Sequence, residues 1–467
     1  MADTPPRQPS RIDQLVELIT GQITGGLLKT GERLASVRAA AGDHGVSKNT
    51  MAEVYDRLVA AGLLESRPGS GFYVTGGNRR PLPRQNPDVE AAVDVVSLLR
   101  EQLDQHYEVR PGDGRPPQAW MEGSEIGRFF GRFKWPKGEA IDHGYGSSWG
   151  FLPLRERIAM LLAERGIKAG VGQVLLTYGA NHALDLIIRH HLEPGDTVFV
   201  DDPGYYPLFG KLTLAKVRII GIRRGPEGPD LADLAAKLAQ HRPKLFFTQS
   251  QGHNPTGHGL TMGTAYGLLQ AAERHGFQLV EDDAFADVMP ASAPRLAALD
   301  QLNRVLYVGT FSKTFSASLR SGYVAAAAPV AAALQGIKML TVVATSDYVE
   351  RFIYNFISDG HYVRHLRRLR ARVGEAASTA AGALSEMGLD VATPAHAGFY
   401  LWVGLPPGTD ELALARAAAE RSIFLAPGQV FAPDRAPRAP AIRVNVAHAA
   451  DPRFLAFMRE VAGGGRG

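Results

Sequence analysis

The chain has 467 residues, 45% hydrophobic and 21% charged, with a formal net charge of +4: enough apolar material for more than one folded domain, and a mildly basic balance that permits nucleic-acid binding. It contains no cysteine, which excludes disulfides, thiolate metal sites and cysteine nucleophiles. The opening Met1-Ala-Asp-Thr-Pro-Pro-Arg-Gln-Pro9 has no apolar core for a secretory leader and no stretch approaches a membrane span, so a cytoplasmic protein is expected.

From Arg11, the apolar residues Ile12, Leu15, Val16, Ile19, Ile23 and Leu27 recur at helical spacing and predict a first helix with one buried stripe. Ser36 can cap a short second helix through Ala41, Gly45 turns the chain, and Ser47 caps a third helix running to Gly62. In that third helix Met51, Val54, Tyr55 and Leu58 face inward, which leaves Lys48, Asn49, Thr50 and Glu53 outside. Basic and short hydrogen-bonding residues at the start of the second of two tightly turned helices suit DNA, although a plain three-helix bundle with a solvated basic face has the same spacing. Leu63 to Arg67 and Gly71 to Val74, around Pro68-Gly-Ser70, predict a hairpin with a basic tip.

This segment resembles the GntR type of winged helix-turn-helix. The likeness is carried by Gly31-Glu-Arg-Leu-Ala-Ser-Val-Arg38, Gly45-Val-Ser-Lys-Asn-Thr50 and Leu58-Val-Ala-Ala-Gly-Leu-Leu-Glu-Ser-Arg-Pro-Gly-Ser-Gly71. It implies a double-stranded DNA-binding domain over residues 1–75, with Ser36, Arg38, Ser47, Lys48, Asn49 and Thr50 at the DNA face and Arg67, Gly69 and Ser70 in the wing. Ala35 stands where that family usually carries proline, and Lys48 where arginine is commoner; lysine keeps a phosphate charge but loses bidentate reading of guanine.

Residues 76–117 read as a connector. Gly76-Gly77, Arg79-Arg-Pro-Leu-Pro-Arg84 and Pro111-Gly-Asp-Gly-Arg-Pro-Pro117 avoid regular structure, and the arginines at 79, 80 and 84 could touch phosphate. Between these runs Val93, Val96, Leu99, Leu103 and Tyr107 predict a helix within 89–108 that docks on something.

Beyond Ile141, β-rich runs alternate with helical ones: Val174 to Thr177, Thr197 to Val200, Val217 to Ile222, Lys244 to Thr248, Gln278 to Val280, Val305 to Val308 and Ser321 to Ala326. The alternation predicts an α/β domain over 118–467 with a mostly parallel sheet, its ligand beyond the strand ends. The motifs gather at those ends. Gly179, Ala180 and Asn181 open a helix straight after a strand, where exposed N–H groups suit a phosphate. Tyr205, in Asp202-Pro-Gly-Tyr-Tyr-Pro207, is placed to stack on a flat heterocycle or to pack as an ordinary tyrosine. Asn254, in Gln251-Gly-His-Asn-Pro-Thr-Gly257, can donate to a phenolate oxygen, and Asp282 can keep a pyridine nitrogen protonated. In Gly309-Thr-Phe-Ser-Lys-Thr-Phe-Ser-Ala-Ser-Leu-Arg320, Lys313 has the setting of a lysine that holds pyridoxal phosphate as a Schiff base, with Thr310, Ser312 and Arg320 available to the phosphate. Arg443, in Ala441-Ile-Arg-Val-Asn445, can grip a ligand carboxylate. His361 and His365 lie on an arginine-rich helix without a carboxylate pair, and no metal site is assigned to them.

From about Tyr145 onward these features resemble the fold-type I, aspartate-aminotransferase-like proteins that bind pyridoxal phosphate. Gly144-Tyr-Gly146, Leu152-Pro-Leu-Arg-Glu-Arg157 and Gly398-Phe-Tyr-Leu-Trp402 extend the match. The resemblance implies Lys313 as Schiff base, Asp282 at the pyridinium, Asn254 at the 3-hydroxyl, Tyr205 on the ring, Arg320 with residues 179–181 at the phosphate, and Arg443 at the carboxylate. One departure is Phe285, where the family normally has a tyrosine that touches the cofactor oxygen. The whole order, reader then aminotransferase-like domain, resembles the MocR family of regulators. That resemblance implies a homodimer on promoter DNA, responding to an amino acid or amine through an external aldimine at Lys313. A working aminotransferase with an accessory DNA-binding domain is the alternative, and residual turnover fits either reading.

Overall fold

A computed structural model describes residues 10–24, 27–75, 95–122, 126, 143–392, 398–436 and 438–464. The chain divides into two compact units, Met1–Asn86 and Pro87–Gly467.

The first unit has three helices, α1 (Arg11–Thr24), α2 (Val37–Asp43) and α3 (Lys48–Ala60), followed by the antiparallel hairpin β1 (Leu64–Arg67) and β2 (Gly71–Val74). Ser36 Oγ accepts from Ala39 N at 3.3 Å and Ser47 Oγ from Thr50 N at 3.1 Å, so both serines cap as the sequence predicts, each worth about 1 kcal/mol. Met51, Val54, Tyr55 and Leu58 of α3 meet Leu15 and Ile19 of α1 in one core. Leu27 does not join them. It lies beyond the end of α1 and is 77% exposed, because the glycines at 25 and 26 are poor helix formers and the periodicity does not carry across them.

The second unit has an eight-stranded sheet in the order β3-β10-β9-β8-β7-β4-β5-β6. Its strands are β3 (Val174–Thr177), β4 (Thr197–Asp202), β5 (Arg218–Gly225), β6 (Gly228–Pro229), β7 (Leu245–Thr248), β8 (Gln278–Asp282), β9 (Val305–Thr310) and β10 (Gly322–Ala325). The central pairs β5/β4, β4/β7, β7/β8 and β8/β9 are parallel, while β10 runs antiparallel to β9 and β3. Buried side chains lie on both faces, as a parallel sheet covered by helices requires. A second sheet, antiparallel in the order β11-β12-β14-β13, comprises β11 (Asp390–Ala392), β12 (Tyr400–Gly404), β13 (Ala426–Pro427) and β14 (Ala441–Asn445). The sequence reading saw the β-character around Arg443 but not this sheet, whose strands are short and separated by long intervals.

The connector holds a surprise in its second half. The predicted helix exists as α4 (Val95–Asp104), with Leu98 and Glu101 buried, whereas Leu103, expected on the inner face, is 76% exposed and Tyr107 is buried beyond the helix end. The helix is shorter than the apolar pattern, so residues past Asp104 no longer follow its face. Val109 to Gly114, expected to be part of a tether, are all buried. Val109 bridges to Ile423, and Gly112 N donates to Phe424 O at 2.8 Å. The connector arginines at 79, 80 and 84 lie outside the described residues.

Candidate functional site

On the first unit the face predicted for DNA is open. Arg38, Lys48 and Asn49 are exposed and take no ion pair or side-chain hydrogen bond among the described residues. Ser36, Ser47 and Thr50 sit beside them in capping interactions. In the wing, Gly69 has φ +73, a turn conformation that suits glycine, and Arg67 lies over the Tyr73 ring at 4.4 Å. Ser70 Oγ meets Tyr73 Oη at 2.6 Å. The result is a basic surface with its backbone fixed by caps, Arg38 and Lys48 in water and Arg67 paired with Glu65 at 3.4 Å.

In the second unit the C-terminal ends of parallel strands converge, and the predicted side chains arrive there together. Asp282 is the last residue of β8 and Thr310 the last of β9; Tyr205 follows β4, and Lys313 follows β9 by one turn. Thr177 ends β3, and Gly179, with φ +79, is the N-cap of the helix Ala180–His191. A Cβ on Gly179 would stand 3.5 Å from Arg320 Nη2 and 3.7 Å from Ser312 Oγ, so a glycine here lets a ligand approach backbone N–H groups, hydroxyl and guanidinium at once. Arg320 Nη2 also donates to Tyr178 O at 3.1 Å, and Thr310 Oγ1 lies 3.1 Å from Ser312 Oγ. Gly179, Ala180, Asn181, Thr310, Ser312 and Arg320 thus gather N–H, hydroxyl and guanidinium donors into one cradle at the start of that helix.

Lys313 Nζ donates to Gly114 O at 2.5 Å. Loss of hydration pulls its pKa down to about 8; Arg443 and Arg115 act in the same sense, against Asp113 and Asp282. Burial pushes Asp282 up to about 7, with Asp283 adding to the effect and the hydrogen bond from Gln249 and the charge of Lys313 opposing it. Asp282 Oδ2 accepts from Gln249 Nε2 at 3.0 Å, whereas Oδ1 is buried with no partner among the described residues. An unpartnered buried carboxylate oxygen calls for a donor, which a protonated pyridine nitrogen supplies. Tyr205 lines a small cavity with Asp282, Gln249 and His253, and burial raises its hydroxyl pKa.

Arg443, on β14, is 1% exposed. Its Nη1 donates to Asn254 Oδ1 at 2.9 Å and Nη2 to Gly112 O at 2.6 Å, while its guanidinium lies over the rings of Tyr400 and Phe431 at 4.7 and 5.1 Å. Nε has no partner among the described residues. With its oxygen held by Arg443, the Asn254 amide is left with its N–H2 to give, as a phenolate anchor needs. Phe285 is buried against Phe399 and Tyr400, both with ring centroids 5.5 Å away, and offers no hydroxyl. His365, by contrast, is a core residue bonded to Thr314 O at 2.8 Å, and the described residues hold no cluster of three or more His, Asp or Glu side chains set to bind a metal.

Sequence reasoning missed the wall of this cleft. The carbonyl of Gly114 also accepts from Tyr400 Oη at 3.0 Å, and Asn445 Nδ2 donates to Asp113 O and Arg115 O at 2.9 and 2.8 Å. A Cβ on Gly112 would lie 2.5 Å from the Leu425 carbonyl carbon, so only glycine fits. The run Pro111-Gly-Asp-Gly114 carried that signal, but its composition is equally that of a linker.

The profile of the family "Aminotransferase class I and II" matches residues 140–453, and that of "Bacterial regulatory proteins, gntR family" matches residues 11–74. The probable rhizopine catabolism regulatory protein MocR of Rhizobium meliloti is 30% identical over 375 residues, which cover 78% of this chain and 74% of that protein. The HTH-type transcriptional regulator TauR of Rhodobacter capsulatus is 28% identical over 456 residues, 91% of this chain and 90% of its own. Among solved structures, LysN, the alpha-aminoadipate aminotransferase of Thermus thermophilus complexed with N-(5'-phosphopyridoxyl)-L-leucine, matches with a TM-score of 0.71 and 25% identity, covering 80% of this chain and 96% of that one.

Proposed function

The chain belongs to the MocR-type regulators, a gntR-family DNA-binding domain fused to an aminotransferase class I and II domain that binds pyridoxal phosphate, and from that premise we propose that it controls transcription by sensing an amino acid or amine at Lys313. The observation that carries the reading is the joint placement of Lys313, Asp282, Asn254 and Arg443 in one cleft, each with an unpartnered or exchangeable polar group. Bound there, pyridoxal phosphate supplies an aldehyde that condenses with amines and a ring that accepts electron density. The protein's own groups do the rest. Lys313 would hold the aldehyde and yield to an incoming amine, Asp282 Oδ1 would face the ring nitrogen, residues 179–181 with Ser312 and Arg320 would hold the phosphate, and Arg443 would take a carboxylate in exchange for the Gly112 carbonyl.

The functional division we propose keeps 1–75 as the reader, 76–117 as connector and 118–467 as effector domain, the last residues of the connector also forming the wall of the effector's pocket. A homodimer in the cytoplasm on promoter DNA completes the reading. The exposed apolar side chains of Met339, Leu340, Val342 and Val343 support a second copy, since such side chains seldom cluster in water uncovered. A ligand acts on transcription only if it favours one arrangement of the two units, and DNA must then alter ligand affinity by the same factor. The missing hydroxyl at Phe285 favours sensing over turnover.

The test is a spectral titration of the cofactor-loaded protein with a panel of amino acids and amines, with and without promoter DNA. An amine that changes the absorbance and the promoter affinity, with both responses lost in Lys313→Ala, is the expected result. Steady turnover of roughly 1 to 1,000 per second with no effect on promoter binding would make the chain an aminotransferase instead.

A further inference from the structure

Gln249 sits immediately after β7, and every polar group it owns is committed. Its backbone N donates to Asp201 Oδ2 at 3.3 Å, and its carbonyl accepts from Arg224 Nη2 at 2.8 Å. Asp201 and Arg224 are themselves a buried pair at 2.9 Å, so the backbone of Gln249 is clamped from two sides. Its side chain reaches the other way. Gln249 Oε1 accepts from Asn254 N at 2.7 Å, and Nε2 donates to Asp282 Oδ2 at 3.0 Å. A backbone N–H can only donate, so Oε1 must face Asn254 and the N–H2 must face Asp282; the amide has one possible orientation.

We infer that Gln249 is a positioning residue that ties the anchor for the cofactor's ring nitrogen to the anchor for its phenolic oxygen and keeps Asp282 charged with one oxygen open to the ring. The chain of bonds is continuous: Asp282 to Gln249, Gln249 to Asn254, and Asn254 Oδ1 to Arg443 Nη1. Both ends of the pyridine ring and the carboxylate grip are thereby held in one frame. With Oδ2 taken by Gln249, the buried Oδ1 is the position left for a ring N–H. The other groups facing Asp282 do not replace this donor. Asp283 repels it, Lys313 attracts it across the cleft, and the hydroxyls of Tyr205 and Tyr400 interact with its charge, but among the described residues none of these donates a hydrogen bond to it. Without the Gln249 donor, burial makes Asp282 the stronger base, and the shared proton moves from ring to carboxylate.

This inference rests on the cofactor site and not on sensing, so its test uses deoxypyridoxine phosphate, the analogue without the aldehyde, labelled with 15N in the ring and bound to the full chain. It cannot condense with Lys313 or with an amine, and a failed sensing model leaves the measurement intact. In the native protein the ring-nitrogen shift should be that of a protonated pyridine. Gln249→Met, which spans the same distance without donor or acceptor, should move the shift toward the unprotonated value and weaken binding roughly ten- to hundredfold, as loss of a hydrogen bond to a buried charge does. Gln249→Leu, similar in volume and likewise without a donor, should move the shift in the same direction and carries the test if the methionine variant does not fold. An unchanged shift and affinity in either folded variant overturns the proposal and leaves Gln249 a core amide.

Discussion

The two units solve recognition in opposite ways. In the first, Arg38, Lys48 and Asn49 stand in water on helices fixed by serine caps, and only packing beneath them is built. In the second, Asp282 and Arg443 are buried and Lys313 half-buried, and each is defined by what it touches: Gln249, Asn254, Gly112 and Gly114. Exposed cations act additively and are screened by salt, whereas buried ones act as a unit and are sensitive to any lost partner. A single substitution should therefore cost the cleft more than the reader, and cost it selectively.

Replacement of Arg443 is the hardest blow to that contrast. Arg443→Ala removes a buried guanidinium that holds Asn254 and Gly112, and ligands carrying a carboxylate should lose about 100-fold in affinity, with simple amines much less affected. Spectral titration with matched pairs of amino acid and decarboxylated amine measures the difference. Equal loss for both would mean that Arg443 supports the fold and not the ligand.

The reader should respond more gently. Arg38→Ala and Lys48→Ala should each weaken promoter binding severalfold and lower the slope of log affinity against log salt by about one, the signature of one lost phosphate contact. The cofactor absorbance should not change. If both variants keep native affinity across a salt series, DNA approaches by another face.

How far each unit was legible follows from the same contrast. Caps at Ser36 and Ser47, the inner face of α3 and the hairpin around Gly69 are local patterns, and the sequence alone places them. So are the strand ends, because a β-run followed by Gly179, by Tyr205 or by Asp282 announces a parallel sheet with its ligand beyond those ends. What stayed hidden depends on distant pairing: Gly112 against Leu425, Asn445 holding Asp113 and Arg115, and Gln249 bonded to Asp282. No period or motif joins residues so far apart. Leu27 and Leu103 show the converse, apolar residues in phase with a helix that had already ended or turned them outward.

Cofactor capture gives a pH-dependent view of the buried side. Only the unprotonated amine attacks the aldehyde, and at Lys313 loss of hydration brings the pKa from 10.5 to about 8. The rate at which the apoprotein acquires the cofactor's bound absorbance should rise with pH and level off above about 8, more than two units below the point expected of a lysine in water. A plateau reached only near 10.5 would mean that Lys313 is hydrated as a free lysine is and does not feel Arg443 and Arg115.

The smallest effect is expected at Phe285, where the resemblance implies a tyrosine. Phe285 is buried between Phe399 and Tyr400, with Gly252 close to its Cβ, so Phe285→Tyr adds one oxygen to a packed aromatic cluster. If that oxygen reaches the cofactor's phenolic oxygen, its O–H stabilises the deprotonated form, and the pH midpoint of the bound cofactor's absorbance should fall by roughly half to one unit, as one added hydrogen bond allows. Thermal stability should then hardly change, because the new group is satisfied. If the oxygen instead points into the rings, it is a buried polar group without a partner, which costs about 1–3 kcal/mol, and the melting temperature should drop while the midpoint stays where it was. The pair of measurements thus decides whether this cleft lacks only a hydroxyl or has repacked around its absence: a lower midpoint at constant stability means the site still holds the place for a tyrosine, and lost stability at constant midpoint means Tyr400 and Phe399 have closed it.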